Sequence, residues 1–234
     1  GGNTISAAEL TFTHMLALSR NIPQAVASLK AGKWERNKYT GTELTGKTLA
    51  VIGLGRIGRE VARWGRAFGM TTIGFDPIVS AAAARQAGIE PFPLEEVWAK
   101  ADFITLHTPL TKDTRHLISA ETLKKCKKGV RIVNCARGGI IDEAALLEAL
   151  ESGHVAGASL DVYESEPPTE KERPLVMHPR VVSTPHLGAN TKDAQVRVAK
   201  DIAIQLSDIL EQKDFVGVVN APNIDFARKS QLIP

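Results

Sequence analysis

Cysteine is scarce in this chain, with only Cys126 and Cys135 among 234 residues. Two cysteines cannot build a disulfide scaffold, and neither stands at metal-ligand spacing to histidines or carboxylates. Reduced thiols and a cytoplasmic setting are the expectation. Charge of one sign is hardly in excess. The formal net charge of +3 gives no electrostatic case for a nucleic-acid partner. The densest basic stretch, LKKCKKGVR over 123–131, reads as a solvated helix end whose lysines suit the negative pole of the helix dipole. Long apolar runs are missing too. None approaches membrane-span length and no signal peptide is recognisable, so no membrane partner is expected. What remains is ordinary: 43% hydrophobic and 24% charged residues, enough for one large core or one and a half domains. The opening Gly-Gly before a helical pattern, and DFARKSQLIP at the end, both read as cuts within a longer chain.

Residues 6–31 carry apolar side chains at helical spacing, with Pro23 breaking the run. Ser6 with Glu9 three residues on matches a capping box. After the loop GKWERNKYTGTELTGK, short apolar strands alternate with helical segments. The strands are TLAVIG (48–53), TTIGFD (71–76), DFITLHTP (102–109), VRIVN (130–134), VAGASLDV (155–162) and RVVSTP (180–185). A long helix, TKDAQVRVAKDIAIQLSDILEQ, follows, and SEPPTEKERP (165–174) reads as a charged surface loop. Strands alternating with helices predict a parallel sheet covered on both faces. The expected fold is therefore α/β and doubly wound, the Rossmann arrangement, with function at the carboxyl ends of the strands.

VIGLGRIG (51–58) places Gly53, Gly55 and Gly58 in the order G-x-G-x-x-G between a strand and a helix. Gly53 permits the tight turn, Gly55 lets a pyrophosphate approach the backbone, and Gly58 lets helix and strand pack closely. The next strand ends in Asp76, 18 residues after Gly58. A carboxylate there accepts hydrogen bonds from a ribose diol and repels a 2′-phosphate, which argues for NAD over NADP. The plain alternative for Asp76 is to start the turn at Asp76-Pro77.

The other strand ends carry His107, Thr108 and Pro109; Cys135, Ala136 and Arg137; Asp161, with Glu164 and Glu166 just after; and His186. The Thr108 hydroxyl could bond a cofactor phosphate or ribose. Arg137, Asp161, Glu166 and His186 converge on one edge. Oxidising a secondary alcohol needs a base for the hydroxyl proton, and histidine suits both directions of that transfer. A carboxylate behind the ring orients it, so His186 and Glu166 can form a dyad. Arginine binds a carboxylate bidentately and polarises a neighbouring carbonyl, so Arg137 suits a 2-oxo or 2-hydroxy acid. Gly138 and Gly139 follow it because side chains would crowd the turn. A structural Arg–Glu pair is the rival reading of these charges. His107 lies on the cofactor side, His14 and His154 have no partner the sequence can name, and His116 and His178 fall on loops or their edges.

These residues resemble the D-isomer-specific 2-hydroxyacid dehydrogenases over almost the whole chain. GLGRIG, the Asp76 strand end, HTPL, NCARGGIIDE, LDVYESEPP and PHLGAN each look like a family motif, in family order. SAAEL, IPQA, KAGKWERNKYTGTEL, CKKGVRIVNCARGG and GVVNAP are most like the animal-type branch that oxidises 3-phospho-D-glycerate. The resemblance implies Arg137 as the carboxylate-binding group, His186 as acid–base and Glu166 as its partner. It implies that Gly53, Gly55, Arg56, Ile57, Gly58, Asp76, Thr108, the Cys135–Ala136–Arg137 backbone, Asp161 and the His186–Gly188 stretch touch NAD. It implies an NAD-binding domain over 1–189, a helix over 190–212 returning toward a substrate domain, and a tail over 213–234 toward further domains. Most of the substrate domain would be absent, so these residues alone are expected to bind NAD(H) and turn over weakly or not at all. A homo-oligomer is implied, with Trp34 and Tyr39 as candidate contacts. Two rivals stand beside this reading. Glyoxylate/hydroxypyruvate reductases share the dyad and arginine but generally prefer NADP, against Asp76. NAD-sensing transcriptional corepressors also keep the trio. Formate dehydrogenase would place glutamine where Glu166 stands.

Overall fold

A computed structural model describes residues 1–211 of the chain. The expected tail over 213–234, with its GVVNAP motif, lies outside the described residues. Two helices lead, α1 (Thr4–Ser19) and α2 (Ile22–Lys30), followed by a 3-10 turn at Arg36–Tyr39. Alternation then begins: β1 (Thr48–Ile52), α3 (Arg56–Ala67), β2 (Thr71–Phe75), α4 (Ala81–Gln86), β3 (Glu90–Pro91) and α5 (Leu94–Lys100). It continues through β4 (Phe103–Leu106), α6 (Ala120–Lys125), β5 (Val130–Asn134), α7 (Glu143–Glu151), β6 (Val155–Leu160), α8 (Arg173–Val176), β7 (Val181–Ser183) and α9 (Lys192–Leu210).

The seven strands form one sheet in the order β3-β2-β1-β4-β5-β6-β7. Every pair is parallel. The chain walks outward from β1 to β3, then restarts on the other side at β4. That reversal opens a crevice at the carboxyl ends of β1 and β4, where doubly wound folds bind ligands. The strands read as continuous apolar runs because both faces are covered. Along β1, Ala50 and Ile52 enter one core with Trp98, Ile104 and Ile132. Leu49 and Val51 enter the other with Phe12, Met15, Phe103 and Val133. Period-two alternation thus feeds two cores from one apolar strand.

The two halves of the leading pattern are separate helices. Asn21 between them has a φ of 51°, and Pro23 sits in the first turn of α2, where its missing N–H costs nothing. The capping box is not formed. Helix α1 starts two residues earlier, and Ser6 Oγ instead bonds Thr191 Oγ1 at 2.7 Å, ahead of α9. Helix α8 begins within the segment read as a loop, where Thr169 donates both its amide and its hydroxyl to Glu172. Among the described residues no helix is long and apolar enough to cross a membrane.

Candidate active site

The glycine loop joins β1 to α3 under tight constraints. Gly53 has a φ of 93°, and a Cβ there would stand 2.6 Å from the His107 carbonyl oxygen. A Cβ on Gly58 would collide with the Gly53 carbonyl oxygen. Gly55, in contrast, faces open space and caps a twelve-residue helix whose first amides are unsatisfied. Asp76 serves the turn as well as the loop. Its Oδ1 accepts from the amides of Ile78 and Val79 at 2.8 and 3.1 Å, and its Oδ2 accepts from Leu54 at 2.8 Å. A carboxylate has about four acceptor sites, so one remains on Oδ2 for a hydroxyl of a diol. Arg56 flanks Gly55 in a shallow neighbouring cleft with Thr4 and Arg59.

A second cleft, of about 350 Å³, lies at the crevice. Ile57, Thr108, Cys135, Ala136, Arg137, His186 and Gly188 all line it, as do His107 and Pro109. The sequence-predicted residues of three strand ends therefore meet in one place, with Ile57 of α3 beside them. Thr108 Oγ1 is buried there with no hydrogen-bond partner among the described residues. A buried hydroxyl without a partner is costly, and a polar ligand group in the cleft would supply one. The orphaned hydroxyl, the open glycine loop and the Asp76 carboxylate fit a dinucleotide.

His186 Nδ1 and Glu166 Oε2 are 2.6 Å apart. An ionised carboxylate can only accept, so Nδ1 carries a proton, and in the neutral ring Nε2 then holds the lone pair. Glu166 Oε1 also accepts the Tyr163 amide at 3.2 Å, which fixes the carboxylate's direction. Arg137 is exposed on the cleft, and its Nη1 donates to the Ala136 carbonyl at 2.6 Å. Among the described residues no carboxylate pairs with it, so the Arg–Glu reading falls. A Cβ on Gly138 would collide with the Tyr163 carbonyl, so glycine is required where the arginine turn meets the loop bearing Glu166.

The description "D-isomer specific 2-hydroxyacid dehydrogenase, NAD binding domain" belongs to a family model that matches residues 12–188. The chain belongs to this family. Rat D-3-phosphoglycerate dehydrogenase is 57% identical over 94% of this chain and 41% of its own length. The Bacillus subtilis protein of the same name is 54% identical over 94% of this chain and 42% of its own. A solved glyoxylate reductase from Paecilomyes thermophila superposes with a TM-score of 0.84 at 37% identity, covering 91% of this chain and 64% of that one. The chain thus spans about two fifths of the length of the curated relatives it matches.

One side chain of this dehydrogenase domain stands elsewhere than the sequence implied. Asp161, expected at the cofactor, is fully buried beneath the 184–188 loop. Its Oδ1 accepts from Leu187 N at 2.7 Å and Thr184 Oγ1 at 2.5 Å, its Oδ2 from Gly188 N at 2.8 Å, and its carbonyl from His186 N at 2.9 Å. It therefore shapes the loop from below. His186 needs that support, because its φ of 55° is a left-handed backbone that costs a non-glycine residue roughly 1–2 kcal/mol. His107 bonds Thr105 Oγ1 at 3.0 Å, and burial pushes its pKa down to about 3, so the ring stays neutral. Burial likewise pushes the Cys135 thiol up to about 12, which makes it an inert wall.

Two residues escaped the sequence reading. Glu143, the first residue of α7, is buried and accepts the Glu164 amide at 2.7 Å, tying α7 to the loop that carries Glu166. His14 has partners after all, at Ser159 and Thr184. Neither carries a local signal, since their partners are distant in the chain.

Proposed function

We propose that the protein carrying this chain oxidises 3-phospho-D-glycerate to 3-phosphohydroxypyruvate with NAD, the step that leads from glycolysis into serine synthesis. The observation that supports it most is Arg137, without a carboxylate partner among the described residues, sharing one cleft with His186 of the His186–Glu166 dyad, in a chain 57% identical to a D-3-phosphoglycerate dehydrogenase. Arg137 would grip the substrate carboxylate with its two-pronged guanidinium. His186 Nε2 would take the proton of the C2 hydroxyl as hydride leaves C2. Glu166 would stabilise the imidazolium so formed and keep the Nδ1 proton in place, so that release of the Nε2 proton to water restores the Nδ1–H tautomer. NAD, when bound, supplies the hydride acceptor. Asp76 would accept from its ribose and Thr108 would bond its ribose or phosphate, with the amides at Gly55 and Arg56 on the pyrophosphate.

The same reading covers assembly and setting. Among the described residues Trp34 stays 78% exposed, which supports a role in a homo-oligomer contact. Val196, Ile202, Ile204 and Leu206 lie exposed along α9, which supports its role as a helix returning to a substrate domain. Two free thiols support a reducing, cytoplasmic setting.

The deciding assay is NADH production by the whole protein with 3-phosphoglycerate, beside glycerate, D-lactate and 2-hydroxyglutarate, with His186→Ala as control. Activity with 3-phosphoglycerate that the variant loses is the expected outcome. Activity with unphosphorylated acids alone would move the protein to a reductase such as the glyoxylate enzymes. No turnover with tight NADH binding would favour a corepressor role.

A further inference from the structure

Helix α1 reaches the loop bearing His186 through a buried chain of four side chains. His14 Nδ1 lies 2.7 Å from Ser159 Oγ on β6, and its Nε2 lies 2.9 Å from Thr184 Oγ1, just past β7. Thr184 Oγ1 in turn lies 2.5 Å from Asp161 Oδ1. The proton positions follow from valence alone. Asp161 as a carboxylate can only accept, so the single Thr184 proton goes to it. Thr184 must then accept from His14, which puts the ring proton on Nε2. Nδ1 is left as an acceptor and takes the Ser159 proton, whose other candidate, the Val182 carbonyl, is farther at 3.4 Å. His14 is 2% exposed, and burial lowers its pKa, so the neutral ring this order requires is also the ring the surroundings favour.

The chain ends where the site needs rigidity. Asp161 holds the amides of Leu187 and Gly188 on its carboxylate and that of His186 on its carbonyl. His186 between them has left-handed backbone, which persists only when its surroundings over-determine it. Helix α1 also holds the far end of this segment, through Ser6 on Thr191 at 2.7 Å. Both ends of 184–191 are therefore fastened to one helix.

We propose that His14 is a positioning residue for His186, acting as a neutral Nε2–H tautomer through Thr184 and Asp161. This rests on His186 being the acid–base of the proposed reaction. None of the four side chains lines the cleft, so the effect would fall on the orientation of His186.

Selective 15N-histidine spectra of the whole protein test the tautomer. Protonation of His14 at Nε2 is expected, and protonation at Nδ1 overturns the proposal. His14→Met removes both ring nitrogens at similar volume, and Thr184→Val removes the hydroxyl at constant shape. Each is expected to lower kcat roughly tenfold to hundredfold with NADH affinity nearly unchanged. The double variant should fall no further than either single one, because both cut one chain. His14→Gln can donate to Thr184 and accept from Ser159, and should restore most of the loss. A purely structural role would lower stability in every variant and leave kcat per folded enzyme unmoved. Should the wild-type protein fail to oxidise 3-phosphoglycerate, the functional reading fails alone. The ring resonances of His186 still decide this one: they must shift in His14→Met and Thr184→Val and return in His14→Gln. Unmoved resonances overturn it.

Discussion

Replacing Glu143 by glutamine should stabilise the protein, and more so as pH rises. Glu143 is 8% exposed. Its Oε1 accepts the Glu164 amide at 2.7 Å, while its Oε2 is buried with no partner. Burial, reinforced by Glu164 and Glu172 nearby, pushes its pKa up to about 7 and outweighs the amide bond. A carboxyl whose folded pKa is raised holds its proton more tightly folded than unfolded. The stability this confers is fully present below the ordinary value of 4.5 and is lost as pH climbs through 7. At full ionisation the loss is at most about 3 kcal/mol, and about half that if water reaches the free oxygen as it charges. Glutamine keeps the carbonyl acceptor for Glu164 and cannot ionise. Urea unfolding of both proteins between pH 5 and 8.5 measures the difference. The advantage of Glu143→Gln should grow by about 1–3 kcal/mol across that range, most steeply between about pH 5 and 6.5, and level off above 7. A difference that stays flat would refute the reasoning. So would one that shrinks with pH, which would make Glu143 a stabilising anion.

The remaining variants probe the cleft directly. Glu166→Gln leaves an acceptor near His186 Nδ1 but removes the charge that stabilises the imidazolium; kcat should fall on the order of a hundredfold or more while NADH binding, read by fluorescence, holds. Arg137→Lys keeps the charge and loses the two-pronged grip, so kcat/KM should drop on the order of a hundredfold with little change in NADH affinity. Gly58→Ala drives a methyl group into the Gly53 carbonyl; it should weaken NADH binding on the order of tenfold or more and lower stability by about 1–3 kcal/mol. An alanine variant that binds NADH normally would show that the loop can shift at no cost.

The parts that sequence could show and the parts it could not divide along a physical line. Strand β1 was legible because burial on both faces leaves an unbroken apolar run, and the glycine loop because only glycine meets its backbone demands. Strand β3 was not, since Glu90–Pro91 at the sheet edge is two residues long and has no periodicity to read. Arg137 and His186 stood out as polar groups that interrupt a buried pattern where ligands bind, and the structure brings them to one cleft. Asp161 interrupts the same pattern, yet its carboxylate turns under the loop toward Leu187 and Gly188. A strand end tells which edge a residue occupies but not which way its side chain finally points. His14 lies further from reach, with partners 145 and 170 residues away that are a serine and a threonine like any others. Groups that do chemistry must be particular residue types and so leave motifs. Groups that hold them in place need only the right donor or acceptor at the right distance. That requirement is met by the packing of α1 on β6 and β7, and it can be read only once the helix is in place.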